Sequence, residues 1–351
     1  MSRIPKEFKV RIPEDRTAQY PTDERDSSRL LVVDRRQEKV CDAGLFREIK
    51  NLIAGDLIVV NNTRVVPARV EGFRPGGGRV ELLFIVKPEF SPQEKCELAA
   101  LISPGRRLRP GMTLRLSANA AFLLKEKDTS GRWLGLWSCG EDKAPFWSWL
   151  ENAGMMPLPP YIRRAPEDID TVRYQTSYAS NDGSLAAPTA GLHFTQDLIA
   201  ELEKAGCEFA GLTLDVGLGT FLPIRSDDLS SHEMHEERYE IPELTVNKIS
   251  RARESGRRIT VVGTTVVRAL EDGVKGGLPL TPGERTANLF IYPPYRFKLI
   301  DRLLTNFHRP DSTLLQLVAA FIGWDLLNEA YQTALDLDFR FYSYGDAMLI
   351  V

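Results

Sequence analysis

Two kinds of hydrophobic spacing share this chain. Towards both ends, short continuous apolar runs alternate with stretches of helical spacing, whereas in between apolar residues recur at every second position. In the first part, Leu30-Leu31-Val32-Val33-Asp34 and Asp56-Leu57-Ile58-Val59-Val60 read as strands. They flank a helically spaced stretch from Leu45 to Leu52 that stops near Gly55. Residues 1–29 are polar, contain prolines and are expected to wrap the surface as an arm. From Pro67 to Asp142 the segments are Ala68–Phe73, Arg79–Val86, Cys96–Ile102, Met112–Leu116, Ala121–Lys125 and Trp133–Trp137. Turn signals such as Pro75-Gly76-Gly77-Gly78, Ser103-Pro104-Gly105 and Pro110-Gly111 separate them, and strands so closely spaced predict a small antiparallel barrel. Pro145–Leu150 reads as a short helix leading out of it.

After Gly154 the first pattern returns. Strands are predicted at Glu208–Val216, Arg258–Val262, Ala287–Ile291 and Ala347–Val351. Helices are predicted after Thr195 up to Gly206, over Pro242–Ser255, from Gly263 through Leu270, and over Thr313–Gly323 and Trp324–Leu335. Glu233–Ile241 reads as irregular and charged. Alternating strands and helices imply an α/β fold: a mostly parallel sheet covered by helices on both faces, with an inserted small antiparallel β-barrel. The expected division is residues 1–66 as the first part of the α/β domain, 67–152 as the barrel and 153–351 as the second part, carrying most of the active site.

Composition narrows the class. Apolar residues make up 43% and charged residues 26% of 351 positions, ordinary for a soluble enzyme. A net charge of −3 provides no global positive field, so any RNA affinity must come from local basic patches. The four cysteines are far apart, which fits reduced thiols in a cytoplasm and argues against a zinc finger or a disulfide framework. No uncharged apolar run approaches the roughly 18 residues of a membrane span.

Candidate chemistry lies in the loops. Ala186–Thr195 is uncharged and small-residued, holds one of only four histidines, His193, and leads into a helix N-terminus with Thr189 and Thr195 as polar groups. An ordinary helix cap with a packed histidine is the competing reading. Asn61, Asn62 and Arg64 follow a strand end, where open α/β sheets place ligands, or else form a turn. Pro157, Pro159 and Pro160 stiffen a segment that carries Tyr161 and Arg163, and Tyr174 and Gln175 follow. Gly263-Thr264-Thr265 lies between strand and helix, suited to a carboxylate, phosphate or ribose, with Arg268 one turn on. Asn306 and His308 precede another capped helix. Arg106, Arg107 and Arg109 form a basic loop that is either simply solvated or a phosphate-backbone contact. His232 and His235 are three apart, not the four a zincin helix needs, so a metal site built from these two with His193 and His308 is the weaker reading. Gly217 and Gly219 resemble a methyltransferase loop, but Phe221-Leu222-Pro223 continues extended where a helix should open.

Several of these strings together resemble a known family, the S-adenosylmethionine:tRNA ribosyltransferase-isomerases of queuosine biosynthesis. The resemblance runs through Val60–Arg69, Met156–Ile162, Tyr174-Gln175-Thr176, Ala186–Phe194, His232-x-Met234-His235 with Glu237, Gly263-Thr264-Thr265, Thr305-Asn306-Phe307-His308 and Phe341–Met348. Asp215 stands where the family pattern usually has His, Val266 where it has Ser and Pro294 where it has Gly. The resemblance implies transfer and isomerisation of the ribosyl group of S-adenosylmethionine onto 7-aminomethyl-7-deazaguanine in a tRNA anticodon. The products are epoxyqueuosine-tRNA, adenine and methionine. It implies an α/β domain with an inserted barrel, no metal, no permanently bound cofactor, and S-adenosylmethionine as co-substrate; a monomer without membrane attachment is expected. On this reading His193 and His235 are the proton-transfer candidates, and His232 and His308 orient or bind. Gly263, Thr264, Thr265 and Arg268 would hold the methionine carboxylate or ribose, and Tyr161 and Tyr174 would stack on a base. Two other classes compete: an S-adenosylmethionine-dependent RNA methyltransferase and a non-catalytic RNA-binding module.

Overall fold

The computed structural model describes residues 5–85, 95–140, 145–217, 229, 234 and 236–351. The chain begins with a hairpin of β1 (Arg29–Asp34) and β2 (Lys39–Leu45). A 3₁₀ turn at Phe46–Ile49 and the short α1 (Lys50–Ile53) lead to β3 (Leu57–Asn61) and β4 (Thr63–Val65). Next come β5 (Arg69–Phe73), β6 (Arg79–Ile85), β7 (Lys95–Ser103), β8 (Thr113–Arg115), β9 (Ala120–Lys127) and β10 (Trp133–Cys139). These six close into a barrel in the order β10-β7-β6-β5-β8-β9, antiparallel throughout. Strict alternation fills its interior, with Leu82, Phe84, Phe122, Leu124 and Trp137 buried. Helix α2 (Phe146–Ala153) packs Phe146 and Trp149 onto Phe84 and Trp137.

The rest of the chain returns to the large sheet. It passes through α3 (Asp168–Arg173), β11 (Asn181–Ser184), α4 (Gln196–Lys204), β12 (Glu208–Leu214) and β13 (Glu237–Ile241). It continues through α5 (Glu243–Glu254), β14 (Ile259–Val262), α6 (Thr264–Gly273), β15 (Gly283–Ala287), β16 (Arg302–Asn306), α7 (Thr313–Ile322), α8 (Trp324–Asp336) and β17 (Ala347–Ile350). Among the described residues the sheet has nine strands in the order β15-β13-β12-β3-β14-β16-β17-β1-β2. It is mixed rather than mostly parallel. The run β12-β3-β14-β16 and the pair β17-β1 are parallel, while both edges and the β16-β17 junction are antiparallel. Two helices, not one, separate β16 from β17; they return the chain to the rim it left, and β17 therefore runs back.

Helices cover both faces. Leu31, Leu57, Val59, Val261 and Leu303 pack on one side with α5 to α8, and Leu30, Ile58, Val60, Val262 and Leu304 on the other with α4 and the Phe46 turn. The segment 237–241, expected to be irregular, is β13; the strand expected at 287–291 is not formed, and β15 precedes it, sharing only Ala287. β2 and β16 went unread in the sequence. Among the described residues, no helix is long and apolar enough to cross a membrane.

Under the sheet, Arg302 reaches the Asp56 carboxylate at 2.8 Å, and Thr260 Oγ1 donates to the same oxygen at 2.6 Å, all three side chains buried. Burial raises the Asp56 carboxyl, and Thr260 and Arg302 hold it back. Arg302→Met leaves a buried carboxylate without its cation and is expected to cost about 3 kcal/mol. Denaturant unfolding at pH 5 and pH 8 checks this, with the larger loss at pH 8, where Asp56 stays ionised.

Candidate active site

One rim of the sheet is hollowed into a cleft with about 710 Å³ of empty space. Its walls come from four places: the loop before α4 (Pro188, Thr189, Ala190), the start of α6 (Gly263, Thr264, Thr265), the segment from Thr305 to Ser312 after β16, and Tyr161 with Tyr342 and Ser343. The ends of β14 and β16 and the beginning of β17 meet here because β17 is antiparallel. Gly263 has φ +91°, in a region that side chains rarely adopt, which lets β14 turn at once into α6. The first N–H groups of α6 therefore lie at the cleft wall, and the buried Thr265 Oγ1 has no hydrogen-bond partner.

Asn306 is the junction of the rim. Its Nδ2 donates to the Asp346 carbonyl at 3.3 Å and to His193 Nε2 at 3.1 Å. A carbonyl only accepts, so the amide orientation is set. His193 Nε2 is then the acceptor and Nδ1 carries the proton, donated to Ser28 Oγ at 2.7 Å. The buried Asn306 Oδ1 is left without a partner. His193 is 4% exposed and does not line the cleft; it stands one hydrogen bond behind it. Burial, with Arg340, Arg25 and Arg173 nearby, pushes its imidazole down to about 3, so it is neutral at pH 7. His308 does line the cleft. Its Nε2 meets Thr305 Oγ1 at 2.8 Å, its backbone N–H donates to Tyr331 Oη at 2.6 Å, and burial pushes the imidazole down to about 3 as well. Arg309 and Asp311 neutralise each other through two hydrogen bonds of 3.0 and 2.8 Å.

Of the residues singled out in the sequence, Tyr161, Thr189, Gly263, Thr264, Thr265, Asn306 and His308 share this cleft. Others are held elsewhere. Tyr174 is fully buried, and Gln175 spends both ends of its amide on the Val65 backbone at 3.0 and 2.6 Å. Asn61 ties β4 to β12 through Thr63 N and Leu214 N and O, Asn62 accepts from Thr213, and Arg64 pairs with Asp182. Arg163 pairs with Glu14 on the surface. Arg268 lies in the core in an ion pair with Glu237. Arg106, Arg107 and Arg109 are exposed on the barrel turn between β7 and β8. His232, His235 and Gly219 fall outside the described residues. Tyr342, Ser343, Arg309 and Asp311 also line the cleft and were not singled out from the sequence, although Phe341–Met348 contains the first two.

The family model for queuosine biosynthesis proteins matches residues 5–350. The chain belongs to the queuosine biosynthesis protein family. It is 44% identical over 346 residues, 99% of each chain, to a protein of Trichlorobacter lovleyi named S-adenosylmethionine:tRNA ribosyltransferase-isomerase. It is 45% identical over 345 residues, 98% of each, to one of the same name from Geobacter sulfurreducens. Among solved structures it is similar to S-adenosylmethionine tRNA ribosyltransferase from Thermotoga maritima, at 33% identity and TM-score 0.54, covering 99% of this chain and all of that one. Within this family fold, among the described residues, no group of three or more His, Cys, Asp or Glu is arranged to hold a metal ion.

Asp215 lies beside the cleft in a neighbouring hollow, with Thr63 Oγ1 donating to its carboxylate at 3.4 Å. Burial and the nearby Glu237 charge push it up to about 6 against the Thr63 bond. A carboxyl raised in the fold binds its proton more tightly there, so stability falls as pH rises from about 4 through 6. Asp215→Asn is therefore expected to stabilise the protein by on the order of 1 kcal/mol at pH 7.5. Thermal unfolding across pH should show that gain closing below about pH 4.

Proposed function

We propose that this chain transfers and isomerises the ribosyl group of S-adenosylmethionine onto 7-aminomethyl-7-deazaguanine in a tRNA anticodon, releasing adenine and methionine. The observation that carries this reading is the 44% identity, from end to end, to enzymes named for that activity. The sulfonium acidifies the neighbouring C5′ hydrogen. Its removal by a base starts the path; adenine leaves with a proton taken up at nitrogen, the amine of the modified base becomes bonded to the sugar carbons and loses a proton, and a sugar oxygen closes the epoxide at the sulfonium-bearing carbon, expelling methionine. Such a path needs proton transfer, an oriented cation and little water.

The cleft supplies fixed dipoles rather than free charge. The α6 N-terminus, with Thr264 and Thr265, suits the methionine carboxylate. Asn306 Oδ1 is a ready acceptor for a substrate N–H. A neutral His308 lets a cationic substrate enter without repulsion. His193 acts as a positioning residue that holds Asn306. His235 keeps its place as a proton-transfer candidate, and His232 as one that orients. Arg106, Arg107 and Arg109 are the proposed contacts to the tRNA phosphate backbone.

Incubation with S-adenosylmethionine and precursor tRNA should release free adenine. S-adenosylhomocysteine in its place would establish a methyltransferase, and no consumption at all an RNA-binding module. His193→Ala is expected to lower turnover roughly 10- to 100-fold by freeing Asn306. The pH profile of the remaining turnover should keep its shape. Loss of a limb near neutral pH would instead make His193 the proton carrier.

A further inference from the structure

The string Phe341–Met348 contains an unusual stretch of backbone at the cleft wall. Tyr342 has φ +72°, a left-handed conformation that is rare for a bulky residue. It is held there from both sides. Its N–H donates to the Phe307 carbonyl at 3.3 Å, and the Gly345 N–H donates to the Tyr342 carbonyl at 3.0 Å. A Cβ on Gly345 would stand 2.5 Å from the Arg340 carbonyl, so the turn has no room to relax. The next residue, Ser343, bonds Tyr161 Oη at 2.6 Å.

The consequence is the placement of a ring. Phe341 and Ser343 on either side are buried, while Tyr342 is partly exposed. Its ring lies 5.0 Å from that of Tyr161, tilted by 45°. The two rings line the cleft and also a second hollow of about 720 Å³ beneath the N-terminal arm, and so form a partition between them. Glycine or asparagine would occupy this conformation at less cost. Backbone held in a sparsely populated region clusters where a side chain must be aimed. A partly open aromatic pair is the surface on which a heteroaromatic ring stacks, because every such ring has a π-face.

We infer that Tyr342, with Tyr161, is the stacking platform for the fused heteroaromatic ring of one of the two substrates. This rests on the proposed reaction, which brings two such rings to the site, adenine and 7-deazaguanine. Tyr342 thereby takes the stacking role for which Tyr174, sealed in the core, is misplaced.

The test uses the full chain and the variants Tyr342→Gly, Tyr342→Leu and Tyr342→Phe. Tyr342→Gly removes the ring and accepts the backbone conformation, so its melting temperature should not fall. Calorimetric affinity for S-adenosylhomocysteine, and KM for S-adenosylmethionine and for precursor tRNA, are measured on each. Loss of the ring should weaken one ligand by roughly 5- to 150-fold, while Phe stays within about two-fold of the parent. Weakened S-adenosylhomocysteine places adenine on the platform; a raised KM for tRNA alone places the deazaguanine there. A folded Tyr342→Gly that handles both substrates within about two-fold of a parent that releases adenine overturns the platform alone. A parent that releases no adenine overturns the proposed reaction and the platform with it.

Discussion

The rim of this sheet depends on one side-chain amide. Asn306 ends β16, and its Nδ2 reaches the backbone of the neighbouring antiparallel strand at Asp346 and the imidazole of His193. His193 in turn reaches Ser28, just ahead of β1. Four stretches far apart in sequence are thus tied by three polar side chains with almost no access to water. Breaking such a chain leaves a buried polar group unpaired, which costs about 1–3 kcal/mol. The loop before α4 and the turn before β17 therefore keep a fixed distance, and the cleft between them keeps its width.

The mixed sheet is what makes that tie available. Had β17 run parallel to β16, its C-terminal end would have reached the rim, and the turn 341–346 would have lain at the opposite end. Its antiparallel course brings Tyr342 and Ser343 to the place where β14 and β16 end. A buried carboxylate secures the turn from behind. Asp170, fully buried, accepts from Arg164 twice at 2.7 Å, from the Glu167 N–H at 2.8 Å and from Tyr344 Oη at 2.7 Å. These bonds favour the charged form and hold the carboxyl below its usual range despite burial. The segment that carries Tyr161 and the segment that carries Tyr342 are therefore locked to one another through Asp170 and Ser343.

Much of this was legible in the residues, for physical reasons. The barrel strands show strict alternation with glycine and proline turns, and each predicted segment there corresponds to a strand. The parallel core was equally plain, since β3 is a continuous apolar run up to Asn61 and β14 interrupts its apolar run only with the small, β-branched Thr260. Two of the misreadings, β13 and β16, share a cause, namely polar residues in buried places. In β13, Glu237 occupies an inward position because Arg268 meets it there, so an apolar alternation is broken by a buried ion pair. In β16, Arg302 and Asn306 bracket Leu303 and Leu304, and every residue is nevertheless buried. Loop chemistry was legible as residue type but not as direction. Asn61, Gln175 and Arg268 are as polar as Asn306 and Thr265, and only the fold assigns their groups to strands, backbone and core rather than to the cleft.

The electrostatic design of the cleft follows from that sorting. Among the described residues of its wall, Arg309 is the one cation and Asp311 the one anion, and each cancels the other at hydrogen-bond distance. Both described histidines are neutral at pH 7. What remains uncancelled is directional: the amide end of α6 and the unpartnered oxygens of Thr265 and Asn306. On the proposed reaction the substrate carries a carboxylate and a sulfonium on one short chain. A site of net charge near zero would bind such a zwitterion without favouring either end, but oriented dipoles would align it. On that proposal the helix end would draw the carboxylate, and the Asn306 oxygen would be left to face the sulfonium end. Orientation by dipoles rather than by free charges also explains why the histidines at this rim are held neutral: a protonated imidazole behind Asn306 would oppose the cation that the cleft is shaped to receive.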